Sequence, residues 1–263
     1  MMLKNVRFVF KYIHYRFTAQ TKHGIHSPFV FKLLTTVINN ATPHQLYAAI
    51  ENLRATLLKS TKKINVTDYG TAGATALIKV RAVAEIVKHA AKPPKYAQLL
   101  FRLVTYFRPA QILELGTSLG ITTLYQAMPY PHTNVLTIEG CPETAALARQ
   151  HFQTLNANNV NLLVGSFEQL LPTALQQMPS LDFVFFDGNH RKAATINYFE
   201  QCLQYIHNDT VFVFDDIHWS AGMEEAWEYI KNSPQVTVTL DLFFLGIVFF
   251  RKEQAKQDFI IKF

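Results

Sequence analysis

Apolar and polar positions change rhythm about a third of the way along the chain. In residues 3–17, Leu3, Val6, Phe10, Ile13 and Phe17 recur near the helical period, with Lys4, Arg7, Lys11 and His14 between them. That spacing predicts an amphipathic helix. His23-Gly24-Ile25-His26-Ser27-Pro28 interrupts the period, and Ser27 followed by Pro28 predicts a capped helix over 29–38. His23 and His26 are three apart, with no further ligand-type cluster nearby. The pattern then predicts a helix over 43–60, a strand over 64–69 and a helix over 77–91. Between the last two stands Gly70-Thr71-Ala72-Gly73-Ala74, which lacks the Lys-Ser/Thr ending of a phosphate loop and reads as a surface loop. Pro93-Pro94 marks the expected boundary between a mainly helical region, 1–94, and a main domain, 95–263.

From Tyr96 onward the rhythm alternates. Short apolar runs at 111–115, 134–139, 160–164, 181–187 and 210–215 predict strands, separated by helical patterns over 96–107, 121–127, 142–155, 166–176 and 192–206. A helix over 221–232 and two strands near 235–241 and 244–250 close the pattern. Alternating strands and helices imply an α/β fold with a parallel sheet covered on both faces. The last two strands are joined too closely for a crossover and must be antiparallel. The expectation is a seven-stranded, mostly parallel sheet with an antiparallel closing hairpin.

Composition adds bounds to this picture. A chain of 263 residues with 49% hydrophobic residues can bury one large core, or one core and a smaller appendage. No apolar run approaches the roughly 20 residues that cross a bilayer. The first 17 residues carry Lys4, Arg7, Lys11 and Arg16 and no small-residue cleavage site, so they do not read as a secretory signal. Cys141 and Cys202 have no metal-type spacing and point to a reducing compartment. The expected location is therefore the cytoplasm, with peripheral membrane contact through the first helix as the alternative. The net charge of +6 is unevenly spread: 17 basic residues face 3 acidic ones up to Ala110, and 8 face 16 beyond it. A basic front half can meet nucleic acid or anionic lipid, or it can pack against the acidic half or a second subunit in a homodimer.

The sharpest candidate chemistry lies at Ile112-Leu113-Glu114-Leu115-Gly116-Thr117-Ser118-Leu119-Gly120, a strand entering a glycine loop and then a helix. Glycines let a backbone approach a ligand closely, and the helix start offers unpaired N–H groups. The spacing Gly-x-x-x-Gly is not the Gly-x-Gly-x-x-Gly of dinucleotide folds. Glu114 suits a cationic amine better than a phosphate. Glu139 ends the next strand, twenty-three residues after Gly116, where an acid can hold ribose hydroxyls. A nucleoside without a nearby phosphate is the expected ligand. Asp187 ends one strand and Asp215-Asp216 the next, so a parallel sheet would bring three carboxylates to one edge. Hard oxygen donors in that number suit Mg²⁺.

These segments resemble the motifs of class I S-adenosylmethionine-dependent methyltransferases, whose fold is Rossmann-like. Glu114–Gly120 looks like their first motif and Ile138-Glu139-Gly140 like their second. The resemblance implies that Glu114, Gly116, Thr117, Ser118 and Gly120 hold the amino acid end of S-adenosylmethionine, that Glu139 and Gly140 hold the ribose, and that Ser166 and Phe167 meet adenine. It also implies that a segment around Tyr96 folds over the methionine end. Leu181–His190, the helix around Tyr198 and Phe214–Gly222 look closer still to the metal-dependent, catechol-type O-methyltransferases, over about 95–250. That likeness implies Mg²⁺ on Asp187, Asp215 and Asp216, a small or lipid-like hydroxyl acceptor, and catalytic roles for Asp187 and His190. The family often has Asn at the position of Asp216 and a catalytic Lys at that of His190. An imidazole with its ordinary pKa near 6.5 can serve as base at neutral pH. A base-methylating enzyme of nucleic acid would commonly carry Asn/Asp-Pro-Pro-Tyr/Phe after the fourth strand, and Asp187–His190 does not. His218 and Trp219 either line the acceptor pocket or pack the strand end.

Overall fold

The computed structural model of the protein describes residues 2–68 and 77–263. The elements in chain order are α1 (Met2–Thr18), α2 (Pro28–Leu33), α3 (Gln45–Leu58), β1 (Lys63–Asp68), β2 (Leu77–Ala82), α4 (Val83–Ala90) and α5 (Pro94–Phe107). There follow β3 (Gln111–Leu115), α6 (Ile121–Ala127), β4 (Asn134–Glu139), α7 (Pro142–Thr154), β5 (Val160–Val164), α8 (Phe167–Gln176) and β6 (Leu181–Phe186). The chain closes with α9 (Lys192–Cys202), β7 (Ile206–Asp215), α10 (Ala221–Asn232), β8 (Val238–Asp241), β9 (Leu245–Phe249) and β10 (Gln257–Ile260). Strand order in the mostly parallel sheet is β10-β8-β9-β7-β6-β3-β4-β5.

The chain divides by its internal contacts into two units. One comprises Met1–Asn40, Val184–Phe186 and His190–Phe263; the other comprises Ala41–Phe183 and Asp187–Asn189. In the second unit β3, β4 and β5 pair in parallel, with Leu115 opposite Ile138 and Ile138 opposite Leu163. Ile112, Leu113, Val135 and Ile138 are wholly buried, as strands covered on both faces must be. Pro94 opens α5, where a missing N–H costs nothing, and Arg108 ends it in the left-handed region at φ 50°, its N–H donating to the Val104 carbonyl.

In the first unit β7 and β8 both pair antiparallel with β9, so the closing hairpin is as expected. Ser27 caps α2, its Oγ accepting from the Val30 N–H at 3.4 Å, and Ser220 caps α10 by accepting from the Met223 N–H at 3.2 Å.

Three expectations need correction. The sheet has eight strands, because β10 adds in parallel to β8 with Phe259 opposite Leu240. The helix expected over 77–91 begins only at Val83: residues 77–82 form β2, antiparallel to β1 with Ile78 opposite Thr67 and Val80 opposite Asn65. Ile78 and Val80 alternate with Lys79 and Arg81 at period two, and the two apolar side chains stand exposed at 68% and 65%. Backbone pairing with β1, rather than burial of an apolar face, holds that strand. The helix expected over 29–38 is α only to Leu33 and a wider π turn over Leu34–Ile38, with the Asn39 N–H reaching the Leu34 carbonyl. The Gly70–Ala74 stretch lies outside the described residues.

Candidate active site

Local backbone demands shape the loop after β3. Gly116 has φ 109°, and a Cβ there would stand 2.0 Å from the Asp187 carbonyl oxygen, so only glycine lets the end of β3 meet the residue that follows β6. The Asp187 N–H donates to the Leu115 carbonyl at 2.9 Å. Gly120, at φ 78°, stands at the start of α6 against the Phe152 ring, which an added Cβ would approach to 2.6 Å. Ser118 between them also takes a positive φ, 48°. The Gly116 N–H donates back to the Ile138 carbonyl, fastening the loop to β4.

Two carboxylates organise this loop in different ways. Glu114 is entirely buried. It accepts from Thr123 Oγ1 at 2.5 Å, Gln126 Nε2 at 2.5 Å and Thr137 Oγ1 at 2.6 Å. Thr137 spends its one proton on Glu114, so Thr117 Oγ1, 2.6 Å away, must donate to Thr137. Burial pushes the Glu114 carboxyl up to about 7, against the lowering effect of its three donors. The expectation that Glu114 meets the amine of a ligand is therefore corrected: its oxygens are committed inward, and it braces the loop from behind. Thr117 is likewise buried and turned inward.

Glu139 is half-buried at the end of β4. Its Oε2 accepts from the Ser118 N–H at 2.7 Å and its Oε1 from the Cys141 N–H at 2.8 Å. Burial raises its pKa, while those N–H donors and Thr144 act to lower it. Oε1 also accepts from Thr144 Oγ1 at 3.1 Å, so the remaining lone-pair capacity lies on Oε2. Gly116, Thr117 and Ser118 line a narrow cleft together with Asp187, Ile86, Val87, Ala90 and Ala91. The involvement of α4 and the turn after it was not foreseen from the sequence. Neither was Lys92, whose Nζ lies 3.4 Å from Asp187 Oδ1 with both side chains largely covered. Ninety-five residues separate the two, so no local pattern could have paired them. Gly188, next to Asp187, packs on the Phe167 ring, leaving 2.6 Å to an imagined Cβ. Ser166 begins α8 without a side-chain capping bond, and Gly140 and Tyr96 are half-buried.

In the other unit Asp215 is buried at the end of β7, its Oδ2 4.0 Å from His190 Nε2. Asp216 follows in the left-handed region at φ 54°, its N–H donating to the Phe244 carbonyl at 2.7 Å. His218 is engaged on both ring nitrogens, Nδ1 with Glu224 Oε1 at 3.2 Å and Nε2 with Asp241 Oδ2 at 2.7 Å, and stacks on Phe243. Burial opposes its charging, but the hydrogen bonds and charges of Asp241 and Glu224 outweigh that and raise its pKa. Trp219 is 65% exposed. His218 thus belongs to a polar cluster of its own.

A family model described as a methyltransferase domain matches residues 113–217, from within β3 to just past Asp216. Residues 113–217 are thus similar to a methyltransferase domain. The chain is 42% identical over 83 residues to the transmembrane O-methyltransferase of Macaca mulatta, covering 30% of this chain and 28% of that protein. It is 28% identical over 126 residues to the catechol O-methyltransferase of Niastella koreensis, covering 47% of this chain and 55% of that protein. The chain thus matches about a third or less of the length of the transmembrane O-methyltransferases. Among solved structures, an O-methyltransferase from Bacillus cereus in complex with SAH superposes with a TM-score of 0.56 at 19% identity, over 82% of this chain and 95% of that one. The O-methyltransferase TomG from Streptomyces achromogenes, in complex with SAM, gives 0.54 at 23% identity, over 62% and 82%. These likenesses establish the methyltransferase domain's fold.

Proposed function

We propose that the protein transfers a methyl group from S-adenosylmethionine to a hydroxyl oxygen of a small or lipid-like molecule, with Mg²⁺ assisting. The observation that carries this reading is the pairing of a phosphate-free glycine loop with Glu139. Two backbone N–H groups and the Thr144 hydroxyl hold that carboxylate at the loop, with acceptor capacity left on Oε2 for a ribose hydroxyl. Gly116, Ser118 and Gly120 shape the cleft for the amino acid end, Gly140 adjoins the ribose position, and Ser166 and Phe167 stand toward the adenine. Tyr96 and the α4 wall cover the methionine side.

Asp187, Asp215 and Asp216 would hold the metal, and their carboxylate oxygens are the hard donors that Mg²⁺ prefers. A charge-balancing role already exists at Asp187, where the Lys92 ammonium stands 3.4 Å away. When bound, S-adenosylmethionine supplies an electrophilic methyl group and Mg²⁺ a Lewis acid beside the acceptor hydroxyl. His190 would take the proton of the acceptor hydroxyl and leave its oxygen free to receive the methyl group. Asp215, 4.0 Å from Nε2, stabilises the resulting imidazolium.

Calorimetry with S-adenosylmethionine in chelator tests the cofactor site first. Wild type should bind, and Glu139→Gln should bind at least about tenfold more weakly, as expected when charge-assisted hydrogen bonds are lost. Absence of binding by folded wild-type protein would overturn the reading. With a hydroxyl acceptor found by screening, turnover should require Mg²⁺; full activity in chelator would remove the metal while leaving methyl transfer intact.

A further inference from the structure

Helix α1 is apolar on two opposite faces. Its inner face packs: Tyr15 is 5% exposed, and the rings of Phe8, Tyr12 and Tyr15 lie 5.3, 5.0 and 5.2 Å from that of Phe243. Half a helical turn away, Val9, Phe10, Ile13 and Phe17 form a second stripe and are 54%, 67%, 44% and 87% exposed. Single exposed apolar residues are ordinary on a protein surface, but four on one stripe of a nine-residue span make a patch that calls for a partner.

Charge says which partner. Residues 1–50 include Lys4, Arg7, Lys11, Arg16, Lys22 and Lys32 and not one Asp or Glu. Arg16 and Lys22 are exposed at the end of the helix where Phe17 protrudes. A second copy of the chain docking stripe on stripe would bring these like charges together, whereas a surface of anionic lipid would neutralise them. Trp219, exposed beside Phe8 at 6.3 Å, adds the kind of aromatic side chain that settles at a lipid–water boundary. No described helix is long and apolar enough to cross a membrane.

We propose that α1 is a membrane-surface helix that lies in the plane of an anionic bilayer, with Val9, Phe10, Ile13 and Phe17 at the acyl boundary and the exposed Arg16 and Lys22 among the headgroups. The contact is independent of methyl transfer and needs neither cofactor nor acceptor. Flotation of the full chain with phosphatidylcholine vesicles, with and without about one third phosphatidylserine, tests it. Binding should require phosphatidylserine and weaken as salt rises. The double variant Phe10→Ser, Phe17→Ser alters only exposed side chains and should bind at least about tenfold more weakly at unchanged Tm. Arg16→Gln alone should cost about fivefold. No binding to anionic vesicles, or equal binding to neutral ones, overturns the proposal. So does self-association in sedimentation that the double variant abolishes, with no vesicle binding in either form, which would assign the stripe to a second copy.

Discussion

Glu114 beneath the glycine loop and His218 beside helix α1 are both titratable groups held by several hydrogen bonds, yet their surroundings are built on opposite plans. Around Glu114 every partner is neutral: two threonine hydroxyls and a glutamine amide, all buried, with the adjoining backbone held at a 2.0 Å tolerance by Gly116. Around His218 the partners are charged and partly open to water: Asp241, Glu224 and, bonded to Glu224 in turn, Lys11, at the wall of an open groove. Geometry dominates the first region and electrostatics the second. Errors of shape should therefore be costly at the loop, and removal of a charge should be mild near α1.

The largest effect should follow from Gly116→Ala. The added methyl meets a backbone carbonyl that has no rotamer to retreat into, at a φ unfavourable for alanine. A loss of at least about 3 kcal/mol is expected, seen as a fall of roughly 6–12 °C in Tm for a chain of this size. A variant as stable as wild type would show that the loop does not approach Asp187 so closely. Glu114→Gln should act next, and its sign depends on pH. Because burial raises the folded pKa from 4.5 to about 7, the native state holds its proton more tightly than the unfolded chain. The stability this contributes is present below about 4.5 and is lost as pH rises through about 7. The glutamine variant cannot lose it, so it should gain on wild type by up to a few kcal/mol between those limits. Parallel thermal-melting curves from pH 4.5 to 7.5 would remove the buried-acid argument. The smallest effect should come from Lys11→Ala, which breaks a pair in which each side chain is about one third exposed. Less than about 1 kcal/mol is expected, shrinking further in high salt.

The same contrast governs how much could be read without coordinates. β3, β4 and the hairpin β8–β9 announced themselves because each buries a continuous run of residues bounded by clear turn residues. β2 did not, since its strand character rests on pairing with β1 while its side chains face solvent. β10 is four residues long and shows one buried position, Phe259, which is too little pattern to detect. At the candidate site, Gly116 and Gly120 stand out because they fall within one strand–loop–helix unit, and Glu139 because it ends the next strand. The inward commitment of Glu114 was not legible, because Thr123, Gln126 and Thr137 lie 9, 12 and 23 residues beyond it. Lys92 at Asp187 and the embrace of His218 by Asp241 are further cases of proximity created only by folding.

The docking of α1 has a temporal consequence. Its inner face rests on Phe243, Tyr15 donates its hydroxyl proton to the Ile261 carbonyl at 2.6 Å, and Gln20 forms a bridge with Ile261. These contacts join residues more than 200 positions apart. On a ribosome adding 5–20 residues per second, α1 emerges well before its partners and waits on the order of ten seconds or more before the surface that receives it has been made. During that interval both of its apolar faces are uncovered, and the helix is at its most available to a chaperone or a nearby lipid surface. Moving residues 2–20 behind Phe263 by circular permutation would abolish the wait without altering a single side chain. The yield of folded protein would then report how much of the burden of folding that delay imposes.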